Sequence, residues 1–247
     1  MTVTTTAIDS GPKFRSPENR MVNAKQRMQL VIVRHGETNW TLTGRYTGTT
    51  DVDLTANGRR EAASMSTLLQ RVLTDQRAVV VSSPLRRATE TAALALPECR
   101  VSVDPLVMEY DYGEFEGLTT EQIRRQAPGW DIWRDGCPGG ESTEDVGRRA
   151  DEFLHTHAEK GPRPVVVVTH GHFSRILAAR ALGLAPESGR LFASATAAVS
   201  LIEDQHGERC IGLWNVAAAL LDGTADAQVQ PVPPGPARLV SAAGRRP

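Results

Sequence analysis

Two histidines stand in matched contexts in this chain. Leu30-Val31-Ile32-Val33 runs into Arg34-His35-Gly36, and Val165–Val168 runs into Thr169-His170-Gly171. Short β-branched runs of this length suit buried strands, so each histidine falls at the carboxyl end of a strand. Each is followed by a glycine that lets backbone approach a ligand closely. In open α/β sheets, ligands bind outside those carboxyl ends, where the N-termini of the following helices favour anions. If the two strands are neighbours, both imidazoles face one pocket. Arg34 adjoins His35, and Ser83-Pro84-Leu85-Arg86-Arg87-Ala88 follows a third β run, so an arginine again arrives at a strand end. A guanidinium presents a planar fork of donors matched to phosphate oxygens. A neutral imidazole can attack phosphorus, and cations around it would neutralise the oxygens of the transferring group. The leaving group then needs a proton donor. Glu109, in Met108-Glu109-Tyr110-Asp111-Tyr112-Gly113, is the best carboxylate, since it follows the apolar run Val101–Val107 and precedes a glycine-containing turn.

These side chains need a scaffold. Strand-like runs occur at Leu30–Val33, Ala78–Val81, Val165–Val168 and Ala197–Ile202, each suited to a buried parallel strand. Between them, Met65, Leu68, Leu69, Val72 and Leu73 form a helical stripe within Thr55–Leu73. Val146, Ala150, Phe153 and Leu154 do the same in Glu144–Lys160, behind a Ser142-x-x-Asp145 start that approximates an N-cap. A third helix begins near His172 and ends near Gly183, a natural C-cap. The alternation predicts a three-layer α/β/α fold with a mostly parallel central sheet and helices on both faces. The segment from about Val103 to Lys160 contains the loop-rich stretch APGWDIWRDGCPGGES. It reads as an insertion that roofs a pocket at the sheet edge, with Tyr110, Tyr112 and residues 128–142 setting the choice of substrate. His155 and His157 are expected on a helix, facing solvent.

The 247 residues suffice for a sizeable core. Hydrophobic residues at 40% and charged residues at 23% exclude a wholly disordered chain, a collagen and a disulfide mini-scaffold. A net charge of −1 argues against a nucleic-acid partner. Three cysteines without a CxxC pair indicate a reducing compartment, and no apolar stretch approaches bilayer length. A cytoplasmic protein with no membrane association is expected. Residues 1–27 carry five basic and two acidic residues, and residues 222–247 contain PVPPGPAR, so both read as disordered tails around a domain over 28–221. His170-Gly171-His172 lacks the further ligands a metal site needs, and Cys137 in its Gly-Cys-Pro turn reads as structural. Neither GxxxxGK[ST] nor GxGxxG occurs. No metal and no cofactor are expected. A homodimer is compatible with the sequence, which carries no mark of an interface.

Taken together and in order, LVIVRHGETNW, GRYTGTTDVDLTANG, SSPLRRATETA, MEYDYGEFEGLT and VVVVTHGHFSRIL resemble the motifs of the histidine phosphatase superfamily, also called phosphoglycerate-mutase-like, over roughly residues 28–221. The resemblance implies that His35 is the phosphorylated nucleophile and that Arg34, Arg87 and His170 form the phosphate pocket. It makes Glu109 the general acid and base. Thr47, Gly48, Tyr112 and Arg175 match positions lining the substrate side, and Gly171 is grouped with them. EYDYGEFEGLTTEQI and WRDGCPGGES are similar to a phosphatase subgroup that includes bacterial acid phosphatases and sedoheptulose-1,7-bisphosphatase-type enzymes. Mutases of the family carry an arginine directly after the catalytic glutamate, where this chain has Tyr110. They carry Trp-Arg-Arg where it reads Trp133-Arg134-Asp135. The resemblance therefore implies a phosphomonoesterase acting on a small phosphorylated metabolite without metal. The rivals are a phosphoglycerate mutase and a non-catalytic phospho-ligand-binding protein.

Overall fold

A computed structural model describes residues 28–73, 78–159 and 163–217. The expected tails at 1–27 and 222–247 lie outside the described residues, as do the last four positions of the expected domain. Six strands form one sheet: β1 (Gln29–Arg34), β2 (Val79–Ser82), β3 (Val101–Val103), β4 (Val165–Thr169), β5 (Ala198–Gln205) and β6 (Glu208–Ala217). Their spatial order is β3-β2-β4-β1-β5-β6. The first four are mutually parallel, whereas β5 runs antiparallel to β1 and to β6. The Ala197–Ile202 run is thus a strand, but not a parallel one. A buried apolar run fixes burial and leaves direction to the connection. Here the chain after α7 returns to the carboxyl end of β1, where Ala197 N donates to His35 O at 3.0 Å, so β5 runs back against β1. His206-Gly207, both at positive φ (53° and 92°), then form the two-residue hairpin turn into β6.

Among the described residues, seven helices accompany the sheet: α1 (Asn39–Leu42), α2 (Ala56–Val72), α3 (Arg86–Ala95), α4 (Thr120–Gln126), α5 (Ile132–Asp135), α6 (Thr143–Phe153) and α7 (Gly171–Ala181). Side chains alternate across each strand, and the two faces bury separate cores. Val31, Val33, Val80, Val166, Val168 and Val199 pack with Met65, Leu69, Ala88 and Ala92 of α2 and α3. Leu30, Ile32, Val81, Val165, Val167 and Ile202 pack with Val146, Phe153, Phe173, Ile176 and Leu177 of α6 and α7. β4 is buried at all five residues because helices cover both of its faces. Local chemistry sets the helix limits. Thr55 Oγ1 accepts from Gly58 N at 2.9 Å to start α2, Ser142 and Asp145 form a full capping box for α6, and Gly183 at φ 74° follows α7.

The Val103–Lys160 segment is more ordered than its composition suggests. It holds 3₁₀ turns at Pro105–Val107 and Gly113–Phe115 and the short helices α4 and α5. Its Tyr110, Tyr112, Phe115, Ile123, Trp130 and Ile132 are all buried in the α6/α7 core. Tyr110 is therefore a core residue. It is fully buried, stacks on Tyr112 with ring centroids 5.5 Å apart and turns its hydroxyl toward Thr143, so it does not face a substrate as the sequence reading expected. His157 also differs from expectation. The chain continues past α6 as a π turn over Leu154–Ala158, which brings His157 Nε2 to 2.9 Å from Asp104 Oδ2 and the ring against Phe153. His155 is exposed, as expected.

The burial of Tyr110 has a measurable consequence. Tyr110→Ala should cost about 3–5 kcal/mol of unfolding free energy in urea titrations. Tyr110→Phe, losing one weak hydroxyl contact, should cost about 1 kcal/mol or less and leave the ranking of substrates unchanged. A changed ranking in the Phe variant would place this ring at the substrate after all.

Candidate active site

The parallel register puts Arg34 opposite Thr169, so the residues that follow, His35 and His170, emerge side by side. Their rings are 5.2 Å apart at 61°. β2 ends beside β4, and two backbone bonds lock the three strand ends together: His35 N donates to Thr169 O at 2.9 Å and Ser83 N donates to Val168 O at 3.0 Å. The chain then turns into α3, whose first turn carries Arg87 into the same space. All the catalytic candidates, His35, Arg34, Arg87, Glu109 and His170, converge at these carboxyl ends.

Each ring has a defined tautomer. His35 Nδ1 is 2.7 Å from Gly36 O, which can only accept, so Nδ1 carries the proton and Nε2 is left with a free lone pair. Arg87 Nε donates to His170 Nδ1 at 3.1 Å, so His170 Nε2 carries its proton and donates to Ser83 Oγ at 2.7 Å. Arg87 is fully buried and further donates to the carbonyls of Thr47, Gly48 and Thr50 at 2.9–3.0 Å. Burial pushes both histidines well below the usual imidazole value, and the Arg87 guanidinium adds to the effect. The rings are therefore neutral, while the two arginines supply positive charge.

The two glycines each admit a close neighbour within the protein. A Cβ on Gly36 would lie 2.4 Å from Gly58 O, and one on Gly171 would lie 3.2 Å from Arg34 Cζ. Gly36 lets α2 approach β1, and Gly171 leaves room for the Arg34 guanidinium.

Glu109 arrives from the opposite wall. Its carboxylate accepts from Phe173 N at 2.8 Å, His172 N at 3.0 Å and Tyr110 N at 2.9 Å. It thus takes the place of a side-chain cap on α7, which His170 does not supply. Sequence reasoning missed what holds this loop. All five N–H groups of Arg149 are used, on Glu141 Oε1 and Oε2 and on the carbonyls of Leu106, Met108 and Glu109. Nothing in the sequence marks this arginine among the other arginines of the chain.

On the substrate side the expected residues divide. Arg175 is grouped with Tyr46, Trp133 and His172, each only partly buried, whereas Tyr112 is buried behind them against Tyr46 and His172. The Arg175 guanidinium lies 4.5 Å from the Trp133 ring centroid, and the Tyr112 hydroxyl shares a hydrogen with His172 Nδ1 at 2.8 Å. Burial and the nearby Arg34 charge lower Arg175 to about 10. Thr47 and Gly48 instead turn inward: Thr47 Oγ1 donates to Arg45 O, and Gly48 N donates to the Glu116 carboxylate. His172, weighed from sequence only as a metal ligand, is an aromatic member of the wall, 5.3 Å from Trp133. Among the described residues no group of three His, Cys, Asp or Glu side chains is disposed to hold a metal ion. Cys137 is buried, and burial pushes its thiol up to about 12, which keeps it protonated and inert.

The family model of the histidine phosphatase superfamily (branch 1) matches residues 30–217. The chain belongs to this superfamily. Among its relatives is an acid phosphatase of Mycobacterium tuberculosis, 42% identical over 182 residues, 73% of this chain and 89% of the relative. A sedoheptulose 1,7-bisphosphatase of Saccharomyces cerevisiae is 36% identical over 184 residues, 63% of this chain and 68% of the relative. Phosphatases so named support the phosphatase class for this histidine phosphatase family member. Phosphoglycerate mutases also match, such as one from Bartonella bacilliformis at 31% over 178 residues, 65% of this chain and 84% of the relative. A solved structure of a Mycobacterium tuberculosis open reading frame superposes with a TM-score of 0.73 at 40% identity, covering 77% of this chain and 98% of that one. No helix among the described residues is long and apolar enough to cross a membrane.

The buried neutral histidines link stability to pH. His35, His170 and His172 all sit well below 6.5 when folded, whereas the unfolded chain takes up protons on them as pH falls through that value. Their stabilising contribution is full above about pH 6.5 and is lost on acidification, by up to ~1.4 kcal/mol per pH unit for each histidine. Urea midpoints measured between neutral pH and pH 5 should fall accordingly, and His172→Gln should flatten the slope by up to one proton. An unchanged slope in that variant would mean that His172 is not buried neutral.

Proposed function

We propose that this protein is a metal-independent phosphomonoesterase that hydrolyses small phosphorylated metabolites through a phosphohistidine on His35. The observation that carries the proposal is the neutral His35 ring, its Nδ1 proton tied to Gly36 O and its Nε2 lone pair free beside Arg34, Arg87 and His170. His35 Nε2 attacks phosphorus in line as the ester P–O bond breaks, and Glu109 gives its proton to the departing oxygen. Glu109 then takes a proton from water, whose oxygen attacks phosphorus as the P–N bond breaks. Inorganic phosphate leaves and His35 is neutral again. Arg34 and the one Arg87 Nη1–H left over from its four protein bonds bind the phosphoryl oxygens, and His170 Nε2–H, which donates to Ser83 Oγ in the empty protein, turns to join them.

Hydrolysis is favoured over phosphoryl return by the sparse charge on the substrate side. A mutase must hold a second anionic group while the substrate reorients. Here the position after Glu109 is a buried tyrosine, and Arg134 is engaged by Asp135 and Gly129 O at the surface. Arg175 remains, set among the rings of Trp133, Tyr46 and His172, a wall suited to a polar ring such as a sugar phosphate. The relatives named for sedoheptulose 1,7-bisphosphate and for glucosyl-3-phosphoglycerate support that substrate class. A panel of sugar phosphates, sugar bisphosphates, phosphoglycerates and aryl phosphates should release inorganic phosphate, with activity unaffected by chelator. Isomerisation of 3-phosphoglycerate without phosphate release would establish the mutase instead. Loss of activity in chelator, restored by one divalent ion, would remove the phosphohistidine mechanism.

The two catalytic roles separate by leaving group. His35→Ala should abolish turnover. Glu109→Gln should slow phosphorylation by an alkyl phosphate by roughly 10² to 10⁴ but largely spare a nitrophenyl phosphate, whose leaving group departs without a proton. The phosphoenzyme should then accumulate as a burst, detected by mass spectrometry as acid-labile, base-stable phosphate. Equal loss with both leaving groups and no burst would exclude Glu109 as the acid and base.

A further inference from the structure

The two arginines of the phosphate pocket are held very differently. Arg87 makes four hydrogen bonds to protein. Among the described residues the Arg34 side chain makes one, from Nη1 to the carbonyl of Ser194, and its buried Nε has no partner. Among the described residues, the hydrogen bonding of the Arg34 fork therefore rests on a single peptide group, the one joining Ser194 to Ala195, beside its packing on Gly171. The other end of that group is also held. Ala195 N–H donates to Asn215 Oδ1 at 2.7 Å. Amide and carbonyl belong to one rigid plane, so fixing Ala195 N–H fixes the carbonyl that Arg34 meets.

Asn215 is unusual in its own right. Val199 pairs with Val216 but Leu201 pairs with Leu213, so Trp214 and Asn215 together oppose Ser200, a β-bulge in β6. Asn215 sits there at φ 54°, a left-handed conformation that asparagine tolerates better than most residues, and Ser200 Oγ accepts its N–H at 2.9 Å. The bulge turns the amide back toward the 193–197 loop. The neighbouring Trp214 Nε1 donates to Ala193 O at 3.0 Å, the Ser174 and Ser194 hydroxyls share a hydrogen bond at 3.1 Å, and Ala197 N donates to His35 O at 3.0 Å. The loop is thus held at four points around the site, of which the Asn215 bond alone acts on the Ser194–Ala195 peptide group itself.

We infer that Asn215 is a positioning residue, which holds the Ser194–Ala195 peptide so that its carbonyl aims the Arg34 guanidinium at the phosphoryl group. The inference rests on the proposed role of Arg34 in binding phosphoryl oxygens. Asn215→Gly tests it cleanly, because glycine accepts the left-handed backbone while removing the acceptor. Small displacements of a catalytic group cost up to 10²-fold in rate. Asn215→Gly should therefore lower kcat/KM for an aryl phosphate by roughly 10- to 100-fold and weaken inhibition by inorganic phosphate. Asn215→Asp, which keeps the acceptor, should stay within about three-fold of the parent. In an Arg34→Ala background, Asn215→Gly should have no further effect, since the group it positions is gone.

The proposal is overturned if Asn215→Gly stays within about two-fold of the parent, or if its loss multiplies with that of Arg34→Ala, as a general loss of folded protein would. The Arg34 Nε–H resonance in arginine-labelled protein, assigned by its absence in Arg34→Ala, gives a readout independent of turnover and should shift or broaden in Asn215→Gly. If Arg34→Ala leaves turnover intact while this resonance still responds to Asn215→Gly, the phosphoryl-binding role falls and the positioning contact stands. An unmoved resonance removes the positioning contact itself.

Discussion

Three parallel strands ending at one level are the constraint on which the pocket depends. β1, β4 and β2 are neighbours, and their last residues are cross-linked by backbone bonds from His35 N and Ser83 N. A side chain alternates faces along a strand, so a slip of one residue between β1 and β4 would turn one histidine away from the other. The register is enforced far from the site, by valines that must point to two different cores at once. Residues with no chemistry of their own, such as Val166 and Val167, thus hold two imidazoles 5.2 Å apart.

Part of this arrangement is legible in the chain, and the division follows the range of the interactions. The β-branched runs before His35 and His170 are local, and so are the Thr55 and Ser142 caps, which is why these elements fall within a residue or two of where the sequence places them. The family motifs carry the catalytic set, and the structure brings all five of those residues together. What is not legible depends on distant partners. The direction of β5 is set by the connection from α7, which returns to the carboxyl end of β1, where Ala197 N meets His35 O, before the strand begins. β6, half-exposed at the sheet edge, lacks a clear alternating pattern. Tyr110 goes to the core because Thr143 and Tyr112 meet it there. The purpose of Gly36 and Gly171 is visible only once α2 and Arg34 are in place. Arg149 satisfies five acceptors drawn from four residues between Leu106 and Glu141, a spread that no spacing rule captures.

The pocket also shows how burial and charge divide the work. Placing Arg34, Arg87 and Arg175 in one small volume is unfavourable, and the protein offsets it mainly with dipoles instead of carboxylates. Arg87 is met by carbonyls and an imidazole nitrogen, Arg34 and Arg175 by carbonyls, and among the described residues none of the three is paired with a carboxylate. More carboxylates would stabilise the empty protein but would compete with a phosphoryl group for the same donors. The neutral histidines are part of the same balance, since burial next to guanidinium groups keeps the extra, charging proton off His35 and His170.

The capping of α7 by Glu109 gives this helix an unusual dependence on chemistry. A carboxylate can accept from both His172 N–H and Phe173 N–H through different oxygens, whereas a carboxylic acid presents one good acceptor and one hydroxyl. In the reaction proposed above Glu109 gives up and regains a proton, and its hold on His172 N and Phe173 N in the first turn of α7 would change with each transfer. The same helix carries His172 and Arg175 on the substrate wall. In the proposed reaction, the proton on one carboxyl group therefore bears on the same backbone turn that begins the helix carrying Arg175.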